Sequence, residues 1–346
     1  MSSSDLPPLT TSDTRSSISA IPMHELEPSP VDEEPSDSSS PFYPSNPSDI
    51  DDSKLPHASR TSTNFLGLTP ARTLHLLSSV QKYATLPPAL YLTMHYTNTA
   101  LIPLLTRNVV EADKYLLLTR PYYQSFPLEP LLIFAPIVTH VVSGVALRIY
   151  RRRINAMRHG AETRADRRTI PWPKLSLTSA AGYILYPMFV AHVLMQRIIP
   201  QKVEGSSAGV GLRFFAHGVA HDPIIANAFY TVFVSVASYH FVSGAAKYLK
   251  LSSEYVTEGG QSGAMRRKWT RRAVNGVAAT VAALWIAGGL GVVGRAGKGV
   301  GWEASNWDKI YAAMPLVEFE PSRYKMEDVS SERWTAVKAI LRYSDR

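Results

Sequence analysis

Cysteine is absent from all 346 residues, which excludes disulfides, thiolate zinc sites, cysteine-bound iron–sulfur clusters and a cysteine nucleophile. Histidine is left as the only strong nitrogen ligand. The chain also lacks a Gly-rich phosphate loop beside a strand pattern, a Gly-x-Ser-x-Gly elbow and a carboxylate pair inside its apolar segments. Hydrolase and NTPase chemistry therefore has no support, and no enzymatic activity is expected. There is no apolar signal-peptide core near Met1, and the first segment is too acidic and too poor in Arg for an amphipathic import presequence.

Residues 1–64 are rich in Ser, Pro and Asp, with acidic clusters at Asp32, Glu33, Glu34 and at Asp49, Asp51, Asp52. Such a segment buries too little apolar surface to offset its chain entropy, so a disordered tail is expected. From about Leu74 the pattern changes. Five segments approach the roughly 20 apolar residues needed to cross a ~30 Å hydrocarbon core: Leu86 to Leu105, Leu128 to Tyr150, Leu177 to Ile199, Ile224 to Leu249 and Val274 to Val293. The first is the most polar, with His95, Asn98 and two leading prolines, which a span tolerates where they face the bundle interior. The expected architecture is thus an all-α membrane protein: a tail over 1–64, a five-span bundle over 65–296 and a C-terminal tail over 297–346.

The formal net charge of +8 is not spread as a nucleic-acid surface would require. Arg151, Arg152, Arg153, Arg158, Arg164, Arg167, Arg168 and Lys174 follow the second apolar segment, and Lys250, Arg266, Arg267, Lys268, Arg271 and Arg272 follow the fourth. With five spans both clusters fall on the N-terminal side, which the positive-inside rule places in the cytosol. Contact with anionic lipid headgroups is compatible with that orientation. The last segment, "NGVAATVAALWIAGGLGVVG", is full of small residues that permit close helix approach. Packing within the bundle is the expected use, and a homo-oligomer face is the alternative.

Four of the segments carry a histidine near mid-depth: His95, His140, His192 and His240. A polar ring in hydrocarbon is costly unless paired or ligated. Around two of them the chain repeats itself, as "THVVSGVALRIY" from Thr139 and "YHFVSGAAKYLK" from Tyr239. Two readings stand. In one, each ring bonds to a carbonyl or hydroxyl of a neighbouring helix, with Ser143 and Ser243 pairing similarly. In the other, His140 and His240 ligate haem iron from facing helices, and Gly144 and Gly244, on the same helical faces, let a macrocycle or a helix approach. His95 and His192 are weaker ligand candidates, because nothing around them repeats the motif. In "HGVAHDP", His217 and His221 have the spacing of some metal sites without the Glu of a hydrolytic motif, and read as a polar loop end.

The second repeat resembles the His-x-x-x-Gly-Ile-Arg-His motif of the cytochrome b anchor subunits of succinate dehydrogenase and fumarate reductase, where the first histidine binds haem. That implies a ligand role for His240 and, by the internal repeat, His140. The family's Arg-His pair is replaced by Ala246 and Lys247, and by Ala146 and Leu147 in the earlier copy.

A wider resemblance, over about residues 75 to 290, rests on "VQKYATLPPALYLTMHYTNTALIPLLTR", "LLLTRPYYQS" and the two His-x-x-Ser-Gly repeats. It is to the fungal MDM-complementing proteins of the mitochondrial outer membrane. This implies five spans related in fold to those anchor subunits, an N-terminus in the cytosol and a C-terminus in the intermembrane space. It further implies a role in lipid homeostasis, as an adaptor recruiting a bridge-like lipid-transfer protein of the vacuolar-protein-sorting thirteen class to organelle contacts. In that family a Pro-x-Pro motif in the tail captures the partner. Here Pro28 and Pro30 match it, preceded by Ile21, Met23 and Leu26; proline lowers the entropy cost of docking and the apolar side chains can fill pockets. "DLPPLT" and "PFYPSNP" are rival segments. No cofactor is required by the adaptor reading; haem b belongs to the alternative, a membrane cytochrome. A transporter is disfavoured, since acids are missing from the spans apart from Glu129 near an edge.

Overall fold

A helix in lipid satisfies its own backbone hydrogen bonds, and the described part of the chain is built from helices alone. The computed structural model describes residues 67–161 and 163–314. The Pro-x-Pro segment and everything beyond Met314 lie outside the described residues.

Helix α1 (Pro70–Tyr83) starts on Thr69, whose hydroxyl accepts from the Arg72 N–H at 3.3 Å, with Pro70 at the first turn. After a break at Ala84 and Thr85, α2 (86–106) runs through a π-helical turn at Thr97–Leu101 and ends on Arg107 in the left-handed region, φ 49°. Helix α3 (Val109–Thr119) begins at Asn108, whose side chain accepts from Val110 and Glu111 N–H groups. Four longer helices follow among shorter ones: α4 (Pro130–Arg158), α5 (Leu177–Glu204), α7 (Pro223–Tyr255) and α8 (Gly260–Val293). Between them, α6 (Leu212–His221) joins α5 to α7, and α9 (Gly301–Ala312) follows α8.

Helices α4, α5, α7 and α8 are long and apolar enough to cross a membrane. In their most apolar stretches only 6% to 28% of residues are buried inside the protein, so these helices present apolar side chains outward, as lipid-facing helices do. They coincide with four of the five expected spans. The first expected span is a continuous helix of sufficient length, but it does not join the four on apolarity. Its polar groups explain why: Asn98 is buried and donates to the Thr119 hydroxyl at 2.7 Å, and Thr97 and Thr99 hydroxyls bond back to Thr93 and His95 carbonyls. This helix buries Asn98, Ala100 and Pro103 and leaves Leu86, Leu90 and Leu105 exposed.

Two expected connections are also helical. Arg266 to Arg272 lie inside the first turns of α8 rather than in a loop, with Arg266 paired to Glu258 and Arg267 donating to the Glu258 carbonyl at 2.9 Å. Residues 301–312, expected in a tail, form α9, because Trp307, Ile310 and Tyr311 bury themselves against α6.

The densest packing is at one end of the bundle, where α3, α6 and α9 form a cap. One cluster joins Val210, Phe214, Trp307, Ile310, Tyr311 and Met314; a second joins Ala112, Leu116, Leu212, Ala216 and Val293. Phe214 and Tyr311 rings stack 4.7 Å apart, and the Tyr311 hydroxyl donates to the Phe214 carbonyl at 3.1 Å. An Arg213–Glu303 ion pair of 2.8 Å crosses the same seam. Asp113 of α3 accepts from the Leu212 N–H at 2.8 Å, filling the cap position of α6 that Gly211 leaves bare. A side chain at Gly211 would come within 2.5 Å of that carboxylate. Burial raises the Asp113 carboxyl above its ordinary range, against lowering by the Leu212 N–H, Arg120 and Arg213.

Candidate functional site

The interior of the bundle repeats itself more fully than the His-x-x-Ser-Gly stretches suggest. His95 and Pro103 on α2 recur as His192 and Pro200 on α5, and the π-helical turns Thr97–Leu101 and Leu194–Ile198 occupy matching places. Proline removes a donor and crowds the carbonyl four residues back; the wider turn just before each proline relieves that crowding. The next helix of each half carries His140 on α4 and His240 on α7. The four histidines meet in two pairs across the halves. His95 and His192 ring centroids are 6.1 Å apart, and those of His140 and His240 are 6.3 Å apart.

In each half the second histidine is tied to a backbone carbonyl of another helix, on α1 in one half and at the start of α5 in the other. His140 Nδ1 lies 2.9 Å from the Gln81 carbonyl, and His240 Nδ1 lies 2.9 Å from the Thr178 carbonyl. Each Nδ1 therefore donates to a backbone carbonyl. Ser143 and Ser243 do not reach across; their hydroxyls donate back along their own helices, to Thr139 and Tyr239 carbonyls at 2.6 Å. Of the glycines, Gly144 faces the Gln81 side chain, whereas around Gly244 nothing lies within 4 Å of where a Cβ would sit. The glycine that admits the His240 ring is Gly182, whose Cβ would stand 2.7 Å from Cε1.

His95 and His192 line a cavity of about 180 Å³, with Tyr91, Tyr230, Phe233 and Trp285 on its apolar walls and Arg120, Glu129, Gln196 and Arg197 on its polar side. Glu129 and Arg197 form a two-pronged pair at 2.6 and 2.7 Å, with Arg197 also donating to Ser207. Arg120 donates to the Ala208 and Val210 carbonyls. The acidic residue at the edge of the second apolar segment is thus a fixed strut between α4 and α5. His192 Nδ1 is buried without a protein hydrogen-bond partner, while His95 Nδ1 lies 3.5 Å from the Tyr91 hydroxyl.

The repeat signal for His95 and His192 was present in the sequence as two His-x7-Pro intervals on apolar segments. It is easy to miss, because the residues between them differ. The structure brings all four expected histidines inside the bundle, and leaves Ile21, Met23, Leu26, Pro28 and Pro30 outside the described residues.

A haem needs imidazoles and room. The imidazoles are there, and at His140 and His240 the carbonyl-bound Nδ1 is the arrangement that orients a metal-binding ring. The cavity on His95 and His192, about 180 Å³, is below the roughly 300–1,000 Å³ of sites for drug-sized ligands, and at the other pair the His240 ring is packed on Gly182. The bundle as it stands does not fit the macrocycle.

Apolar helices of crossing length, polar groups turned inward and a capped end define a multi-pass helical membrane protein. Residues 187–298 match the family described as MDM10-complementing protein 1, transmembrane domain. The matched stretch takes in most of α5 and all of α6, α7 and α8, with His192, His217, His221 and His240. No curated protein and no solved structure matches the chain, so the likeness to the respiratory anchor subunits rests on sequence motifs alone.

Proposed function

We infer that this protein is an adaptor of the mitochondrial outer membrane that serves lipid homeostasis. Its N-terminal tail recruits a bridge-like lipid-transfer protein to organelle contact sites, and its bundle supplies the membrane address. The observation that supports this reading is the family match of residues 187–298; the outward-facing apolar helices agree with it. In this reading α2 is a fifth span, the tail and the basic helix ends lie in the cytosol, and the capped end with α9 faces the intermembrane space. That orientation follows from the basic residues clustered at the end opposite the cap.

Recruitment is assigned to Pro28 and Pro30 with Ile21, Met23 and Leu26. A Pro28→Ala, Pro30→Ala double variant is expected to abolish co-localisation of the lipid-transfer partner while membrane residence is unchanged, read by fluorescence microscopy and by fractionation. Undiminished recruitment would remove this motif from the account.

A further inference from the structure

The cap contains a side-chain cluster that the adaptor role does not use. His217 and His221 stand one turn apart on α6, and Asp308 reaches them from α9. Three atoms converge: His217 Nε2 lies 2.8 Å from Asp308 Oδ1, His221 Nε2 lies 3.1 Å from the same oxygen, and the two Nε2 atoms are 3.0 Å apart. The His217 and His221 side chains are only 2% and 9% exposed.

While the Asp308 carboxylate is ionised, protons cannot satisfy this triangle. The Asp308 oxygen accepts, so each contact to it requires hydrogen on the imidazole Nε2. The contact between the two Nε2 atoms requires hydrogen on one and a lone pair on the other. The conditions conflict in every tautomer, and protonating both rings leaves the nitrogens opposed. A cation bound by all three lone pairs resolves the conflict, since a point about 2 Å from each atom exists just off the triangle's plane, matching zinc–nitrogen and zinc–oxygen distances.

We propose that His217, His221 and Asp308 bind a zinc ion that clamps α9 onto α6. Two imidazoles, one carboxylate and a solvent molecule make a four-ligand zinc set; a carboxylate with two imidazoles suits zinc better than calcium or magnesium, which favour oxygen. Lys298 lies near enough to His221 to oppose the ion, and the Asp308 carboxylate offsets it. Binding has one structural requirement. The Gly299 N–H now donates to His217 Nδ1 at 3.0 Å, and with zinc on Nε2 that nitrogen bears the hydrogen. The Lys298–Gly299 peptide must then turn away. Gly297 at φ 82° and Gly301 at φ 66° flank it, and glycine gives such a segment the freedom to turn.

The test is metal analysis of the full chain, expressed with zinc and purified in detergent. About one zinc per chain is expected, with near-background metal in His221→Gln and Asp308→Asn, and chelation is expected to lower the thermal midpoint of the wild type but not of these variants. Should a variant fail to fold, cobalt decides the matter on the wild type, which is expected to give the intense visible bands of a tetrahedral site that zinc displaces. Wild-type protein that retains no stoichiometric zinc and gives no such cobalt spectrum overturns the proposal, as does full zinc content in both variants.

Discussion

Glu129 and Arg197 show how one residue's partner decides what its charge does. The pair is mostly buried, with side chains 16% and 18% exposed, and its two parallel hydrogen bonds fix the spacing between α4 and α5. Removing one member leaves the other charge buried without its partner, which costs about 3–5 kcal/mol, whereas replacing both with apolar residues of similar volume is often near neutral. Glu129→Leu is therefore expected to lower the thermal midpoint of the detergent-solubilised protein sharply. The double replacement Glu129→Leu with Arg197→Met is expected to recover most of the loss. If the double variant is as unstable as the single, the pair has a role beyond mutual neutralisation. At this scale Glu129 was legible in the sequence as an isolated acid near a span, but Arg197 was not legible as its partner, since the two are far apart along the chain.

Helix α8 shows what the small residues of an element are for. Gly288 lies against the backbone of α2, so close that an added Cβ would stand 2.1 Å from the Ala100 carbonyl oxygen. Trp285 donates to the Thr99 hydroxyl at 3.0 Å beside it. Backbone does not yield as a side-chain tip does, so Gly288→Ala is expected to push the two helices apart at about 1–3 kcal/mol. Gly276→Ala, which meets nothing within 4 Å, is expected to be nearly neutral or, by helix propensity, slightly stabilising. Thermal unfolding of the two variants side by side checks this. Equal effects would mean that the close approach of α8 to α2 contributes nothing to stability. The composition of this segment announced close packing; which glycine meets a neighbour depended on how α8 is rotated about its axis.

For the molecule as a whole, the internal repeat is the organising fact. Each half pairs a helix carrying a histidine and a proline-relieving π-helical turn with a second helix whose histidine bonds to a backbone carbonyl, that of Gln81 on α1 in one half and that of Thr178 on α5 in the other. The arrangement accounts for His140 and His240 as hydrogen-bonded struts without iron. An optical spectrum of the purified protein, oxidised and then dithionite-reduced, with haem supplied during expression, is accordingly expected to stay flat. An alpha band that sharpens on reduction and is lost in His140→Ala or His240→Ala, or in His95→Ala or His192→Ala, would mean that the halves separate to admit a macrocycle.

The sequence by itself determined the four long apolar helices α4, α5, α7 and α8. A helix closes its hydrogen bonds within a few residues, so caps such as Thr69, Asn108, Ser176 and Asp222 act locally and leave their mark in local sequence. It also determined that four histidines lie in apolar surroundings. Only the tertiary structure decided what those histidines bond to, that Asn98 meets Thr119, and that α9 folds back to bring Asp308 onto His217 and His221. Each of these joins residues distant in the chain, and such a contact is set by how whole helices pack and rotate against one another, which no short stretch of sequence encodes.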